Sequence, residues 1–96
     1  MALEVTEEAA EVLARSLEMA GIRGGGVRLR AARGLGGGDV VQVELADGPG
    51  PGEHVVEAGR LRIFVDSEVA SMWPDAVLAL EPQHDTVVLR PAGADT

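Results

Sequence analysis

The sequence contains no cysteine, and this absence excludes thiolate chemistry from its 96 residues. Its own side chains can form no disulfide, no cysteine nucleophile and no cysteine-held iron–sulfur cluster. Lysine, asparagine and tyrosine are missing as well, so the eight basic residues are all arginine. A small domain without disulfides is typical of a reducing compartment, and we therefore expect a cytoplasmic location.

The chain also lacks long hydrophobic runs and an excess of positive charge. Its longest unbroken apolar run has five residues, Ala76 to Leu80, and its N-terminus lacks the basic start of a signal peptide. The formal net charge is −8, which disfavours nucleic acid and anionic membranes as partners. These features predict one soluble domain, residues 1–91, followed by a short frayed tail, residues 92–96.

Hydrophobic periodicity predicts a mainly β chain with helices, an α+β fold. An N-terminal helix is expected over 6–20, capped by Thr6 and ended by Gly21. A change to period two then predicts strands, and a hairpin is centred on Ala58-Gly59. The expected strands are 27–32, 40–45, 55–57, 60–65, 77–81 and 86–90, with a short helix from Asp66 or Ser67 to Met72.

No constellation typical of an enzyme is present. His54 and His84 are isolated, and the serines lack a nucleophile-elbow context. The glycine triplets 24–26 and 36–38 lack the lysine of a phosphate-binding P-loop and the last glycine of a dinucleotide fingerprint. We therefore expect no catalytic residues, no metal site and no cofactor, and we expect the chain not to be an enzyme.

One charge feature stands out, because half of the arginines lie between Glu18 and Asp39 with no acidic residue among them. Arg28 and Arg30 share the outward face of one predicted strand, and Arg33 follows in the glycine-rich turn. They can form an ordinary cross-strand charge ladder with Glu44, or they can form a surface for an anion or an acidic partner. Both interpretations remain open at this point.

The order of elements resembles the A-type iron–sulfur cluster carrier family, the HesB/IscA-like domain, from about Leu3 to Pro91. The segments that carry the resemblance are Val5-Thr6-Glu7-Glu8-Ala9-Ala10, Val27-Arg28-Leu29, Glu44-Leu45, Pro51-Gly52-Glu53 and Leu61-Arg62-Ile63-Phe64-Val65-Asp66. The resemblance implies a compact HesB-like β-sandwich or pseudo-barrel, with an N-terminal helix and a short helix after the central hairpin.

The same resemblance identifies a degenerate ligand position. The family carries a G-G-C-S-G segment after its first strand and a C-G-C segment near the C-terminus. Aligned from Val27, the first cysteine falls on Gly36, and the second segment is expected beyond Thr96. The comparison implies a member that lacks all cluster-ligand cysteines, and a homodimer is expected because carriers of this family commonly self-associate.

Two functional hypotheses follow. The first is a non-enzymatic HesB/IscA-like protein, associated with iron–sulfur cluster assembly proteins, that acts through protein contacts at Arg28, Arg30 and Arg33 or at a sheet edge. The alternative is a module that binds a small anion or an O/N-ligated metal. It would use the amides of 36–38 beside Arg33, or His54, His84 and nearby carboxylates.

Overall fold

A computed structural model describes residues 2–72, 74–81, 83 and 86–92. These residues form seven strands and two helices, which confirms the predicted mainly β architecture. In chain order the elements are β1 (Ala2–Val5), α1 (Glu7–Met19), β2 (Gly26–Arg33), β3 (Asp39–Ala46), β4 (His54–Ala58), β5 (Leu61–Val65), α2 (Ser67–Met72), β6 (Asp75–Glu81) and β7 (Thr86–Pro91).

The ends of α1 follow from local sequence chemistry. The Thr6 hydroxyl accepts a hydrogen bond from the Ala9 amide at 3.2 Å, which satisfies one of the free donors of the first turn. At the other end Gly21 adopts φ 72°, and the Ile22 amide donates to the Leu17 carbonyl at 3.0 Å. This is a Schellman ending, so the predicted cap and stop are both confirmed.

The strands form two sheets. The first has the order β1-β6-β7, with β1 parallel to β6 and β7 antiparallel to it. The second has the order β3-β2-β5-β4, in which β2 and β5 run parallel and the two outer pairs are antiparallel. The sheets stay separate, and no closed barrel forms among the described strands.

The core lies between the inner faces of the two sheets and the two helices. Leu13 of α1 and Val69 of α2 are buried in it with alternate residues of the strands. On β5, for example, Leu61, Ile63 and Val65 point inward. Because strand residues alternate between faces, the intervening positions of the four-stranded sheet lie on its opposite side, which we call the outer face.

Strand β1 was not predicted from the sequence. Its four residues pair with β6 in parallel, Ala2 beside Asp75 and Val5 beside Leu78, so its partner lies about seventy positions away in the chain. A segment this short has too little alternation to indicate a strand, and only the tertiary pairing reveals it.

Two sequence-based predictions extend beyond the described residues. His84 and most of the turn at 82–85 lie outside them, as does the tail from residue 93 onward. The first residue of the predicted tail, Ala92, donates its amide to the Asp75 carbonyl at 3.0 Å.

Neither helix in the described ranges is long and apolar enough to cross a membrane.

Candidate functional site

The outer face of the four-stranded sheet collects the arginines that the sequence singled out. The β2–β3 register places Arg28 opposite Glu44 and Arg30 opposite Gln42. The β2–β5 register places Arg28 beside Phe64. Arg28, Arg30 and Phe64 therefore share this face, while Val27 and Leu29, at the alternate positions of β2, are buried in the core.

A loop crosses this face because of the strand order. Strand β3 lies at one edge of the sheet and the next strand in the chain, β4, lies at the other edge. The connection over residues 47–53, which we call the crossing loop, must pass β2 and β5. Its hydrogen bonds to the side chain of Arg28 show that it passes over the outer face.

Arg28 holds the crossing loop near both of its ends. Its Nε donates to Glu53 Oε2 at 2.8 Å, and one terminal nitrogen donates to Glu53 Oε1 at 3.1 Å. The same nitrogen donates to the Gly48 carbonyl, also at 3.1 Å. The Glu53 carboxylate in turn accepts from the Gly50 amide. A bidentate guanidinium–carboxylate pair of this kind fixes orientation as well as distance.

The pair perturbs the protonation of both groups. The hydrogen bond from Arg28 lowers the pKa of Glu53 below its ordinary value, with help from the Gly50 amide and against a smaller opposing effect of burial. The hydrogen bond to Glu53 raises the pKa of Arg28. Glu53 is therefore ionised at neutral pH, and the pair acts as a fixed clamp on the loop.

The other two arginines are in different surroundings. Arg30 donates to Gln42 Oε1 at 3.1 Å, and its Nε lies 3.7 Å from Glu44 Oε1. This contact is the cross-strand ladder that the sequence allowed, and both side chains are substantially exposed. Arg33 is exposed at the end of β2, opposite Asp39 in the register.

Residues 33–38 form the turn between β2 and β3, which we call the hairpin tip. Its own backbone closes it, because the Gly34 amide donates to the Gly38 carbonyl at 2.7 Å and the Gly37 amide donates to Gly34 at 3.0 Å. The side chain of Leu35 is fully exposed. A Cβ atom added at Gly36 would meet nothing within 4 Å, so the degenerate ligand position faces open space.

The residues present do not fit an iron–sulfur cluster. Iron in such clusters is held by thiolates, and Gly36 offers no side-chain donor. Within the described ranges, no group of three or more histidine, aspartate or glutamate residues is placed to hold a metal ion. His54 lies exposed at the start of β4, and His84 is outside the described residues.

The surroundings of the arginines do not favour a binding site for a small anion. The cavity beside Arg28 and Arg30, about 370 Å³, is lined by the carboxylates of Glu44, Glu53 and Asp66. Acidic groups therefore outnumber basic ones there. At the hairpin tip the Gly37 amide is already bonded to Gly34, which removes one donor from the proposed amide cradle.

Close packing and backbone conformation explain why residues 24–26 are glycines. A Cβ atom at Gly25 would lie 2.2 Å from the Ala46 carbonyl oxygen, and one at Gly26 would lie 2.1 Å from that of Arg62. Gly24 has φ 73°. The triplet is therefore required where β2 begins between β3 and β5, and it needs no ligand.

Sequence reasoning did not find Glu53 as the partner of Arg28. Twenty-five positions separate the two residues, and the crossing loop brings them together. Glu53 did belong to the Pro51-Gly52-Glu53 segment that carried the resemblance. That segment was the one signal in the sequence that pointed to it.

Comparison with solved structures confirms the predicted resemblance at the level of fold, because the chain has the fold of A-type iron–sulfur cluster carriers. Escherichia coli SufA, involved in biosynthesis of iron–sulfur clusters, superposes with a TM-score of 0.72 and 17% identity, over 93% of this chain and 77% of SufA.

Two further structures share the fold. IscA with a [2Fe-2S] cluster gives a TM-score of 0.65 and 18% identity, over 92% of this chain and 81% of IscA. A protein from Aquifex aeolicus, solved by solution NMR, gives 0.69 and 18% identity, over 92% of this chain and 89% of its own. No family model and no curated protein sequence matches the chain, so its relation to known proteins rests on the fold.

Proposed function

We propose that this chain is a non-enzymatic HesB/IscA-like protein that takes part in iron–sulfur cluster assembly through contacts with other proteins, without carrying a cluster on cysteines of its own. One observation carries the proposal: the fold of SufA and IscA is built here by a sequence with no cysteine. A scaffold without thiolates keeps its surfaces, and its function then lies in those surfaces. The absence of cysteine also favours the cytoplasm as its location.

The hairpin tip is the surface we propose for such contacts. It presents an exposed leucine, Leu35, beside the exposed guanidinium of Arg33, and Arg30 lies further along β2 on the outer face. Arginine is enriched among the residues that contribute most binding energy at protein interfaces, and an exposed apolar side chain gains free energy when a partner removes it from water. Arg28 contributes indirectly, because it holds the crossing loop over the adjoining part of the outer face.

Two measurements test the proposal. Anaerobic reconstitution with iron and sulfide is expected to give no stable cluster chromophore on the purified protein, whereas a stoichiometric chromophore would refute cluster-free function. Affinity capture from the native host, followed by mass spectrometry, is expected to enrich iron–sulfur assembly proteins. A capture that enriches none of them would refute the association.

A pair of variants ties the capture to the hairpin tip. Leu35→Gln is expected to abolish the enrichment because it removes the exposed apolar side chain. Met19→Gln is a matched control, since Met19 is also a largely exposed apolar residue but lies at the end of α1. Equal capture by both variants would mean that the contacts lie elsewhere on the chain.

We also propose that the chain forms a homodimer, as its resemblance to the carriers implies. Strand β4 lies at a sheet edge, and its Val55 is exposed. Edge strands offer backbone groups that can pair with another copy. Sedimentation velocity at micromolar concentration is expected to give the mass of a dimer, and a monomer mass across the whole concentration range would contradict this proposal.

A further inference from the structure

A groove that the proposed function does not use lies between α1 and the turn that joins β4 to β5. It consists of two adjoining cavities of about 440 and 400 Å³, which share Ala14, Arg60 and Leu61 as lining residues. The groove begins at Glu7 in the first turn of α1 and reaches Gly21 beyond the last turn. Because α1 has 13 residues, the groove is about 20 Å long.

The floor of the groove is apolar. Leu61 is buried beneath it, and Ala10, Leu17 and Ala58 are half-buried along it. Ala10 and Ala14 follow each other at i, i+4 on α1, so one flank of the helix carries side chains too small to close the gap. A floor of this kind can accept apolar side chains from another molecule.

The walls of the groove carry opposite charges. Glu7, Glu11 and Glu18 lie along the helix side, whereas Arg60 lies on the turn opposite and Arg23 lies near the far end. All five side chains are exposed, and within the described ranges none of them takes part in a salt bridge. Three free carboxylates thus face two guanidinium groups across an apolar floor.

We propose that this groove binds a basic amphipathic segment of a partner protein. Cationic side chains of the segment would face the three glutamates, and its apolar side chains would lie on the floor over Leu61. An acidic group near one end of the segment would face Arg23 at the far end of the groove and fix the direction of the segment. This arrangement corresponds to groove recognition of an amphipathic segment, with charge complementarity selecting the partner.

Charge also separates this occupant from a second copy of the chain. The protein has a net charge of −8, so no overall charge attraction draws a second copy into an acidic groove. The helix side of the groove is itself acidic. A cationic segment gains from both the local and the overall charge.

The test is an NMR titration of the full ¹⁵N-labelled chain with two synthetic peptides. The first is a 14-residue amidated amphipathic peptide with lysine on its polar face and alanine and leucine on its apolar face. The second is identical except that glutamate replaces every lysine. We expect the lysine peptide to shift the amide resonances of Ala10, Ala14 and Leu61, and we expect the glutamate peptide to shift none of them.

Two double variants show whether the local carboxylates matter. Glu7→Gln with Glu11→Gln is expected to weaken binding of the lysine peptide by roughly three- to tenfold, since two exposed charge contacts are lost. Glu8→Gln with Glu57→Gln changes the net charge equally at exposed positions outside the groove, and it is expected to leave the affinity within about twofold of the original.

Several outcomes would overturn the proposal. They are equal weakening by both double variants, equal binding of both peptides, shifts that cluster on another surface, and no shifts with either peptide. Ala10 and Ala14 amides on α1 that shift with protein concentration alone would identify a second copy as the occupant, whereas the dimer proposed above would shift amides of β4. None of these outcomes bears on cluster reconstitution or on the hairpin tip, so this proposal and the proposed function can fail independently.

Discussion

Replacing Phe64 tests whether the crossing loop makes the outer face part of the protein interior. The alternation of β5 assigns Phe64 to the face opposite Leu61, Ile63 and Val65, and it does not belong to the core cluster. Yet its side chain has no exposed surface. The guanidinium of Arg62 lies 5.3 Å from the centre of its ring, and the loop held by Arg28 crosses the same face.

The expected cost follows from this burial. A phenylalanine side chain buries about 150–250 Å², which corresponds to about 4–6 kcal/mol at 25 cal/mol per Å². Because the extended chain overstates the area lost on folding, we expect Phe64→Ala to lower the free energy of unfolding by about 3–5 kcal/mol. That is a large part of the 5–15 kcal/mol typical of a small domain.

Urea denaturation followed by circular dichroism measures this free energy. Val55→Ala is the control, because Val55 is paired with Phe64 on the same face but its side chain remains 43% exposed. We expect it to cost less than about 1 kcal/mol. If Phe64→Ala unfolds the chain, Phe64→Leu is expected to cost about 1 kcal/mol and to lower Tm by about 4–8 °C.

A cost for Phe64→Ala no larger than that of Val55→Ala would refute the reasoning. It would mean that the loop does not shield the ring and that the outer face is solvated like that of an ordinary half-buried sheet.

Three further predictions concern the clamp, the glycines and the helix cap. The folded-state pKa of Glu53 is depressed, so the stability that Glu53 contributes is complete above its unfolded value of about 4.5 and is lost as pH falls through the lower folded pKa. The difference in free energy of unfolding between wild type and Glu53→Gln, measured by urea denaturation, should therefore be largest at pH 7 and should shrink below pH 4.5. A difference that stays constant down to pH 2 would show that the Arg28–Glu53 ion pair does not stabilise the fold. Gly36→Cys should leave Tm unchanged because an added side chain there meets no other atom. Gly26→Ala should lower Tm strongly because its Cβ would overlap the Arg62 carbonyl. Equal Tm values for the two variants would contradict this prediction. Thr6→Ala should cost about 1 kcal/mol in chemical denaturation through loss of the Ala9 hydrogen bond, and an unchanged midpoint would show that the cap contributes nothing.

Local chemistry made much of the fold predictable. The Thr6 cap, the Gly21 stop and the alternation of 27–32 depend on neighbours within a few residues, and the structure confirms each of them. The resemblance, carried by short segments in the right order, predicted the fold that the solved structures share. Strand β1 was missed because its pairing partner is distant in sequence.

The two glycine triplets also separate what local sequence determines from what tertiary packing determines. Both look alike in sequence, and neither matches a phosphate-binding motif. In the structure Gly25 and Gly26 lie against carbonyl oxygens of β3 and β5, whereas Gly36 lies at an open tip. Only the approach of other strands distinguishes a glycine that packing requires from one that faces solvent.

The sequence by itself determined that these 96 residues supply no thiolate, because composition does not depend on folding. It also determined the helix ends and the strand periods, which are set by contacts between near neighbours. The tertiary structure alone decided what Arg28 does. Because of the strand order, the crossing loop passes over the outer face, and this places Glu53 beside the guanidinium of Arg28. Arg28 therefore stabilises the fold. Arg33 and Leu35, in contrast, remain exposed at the surface.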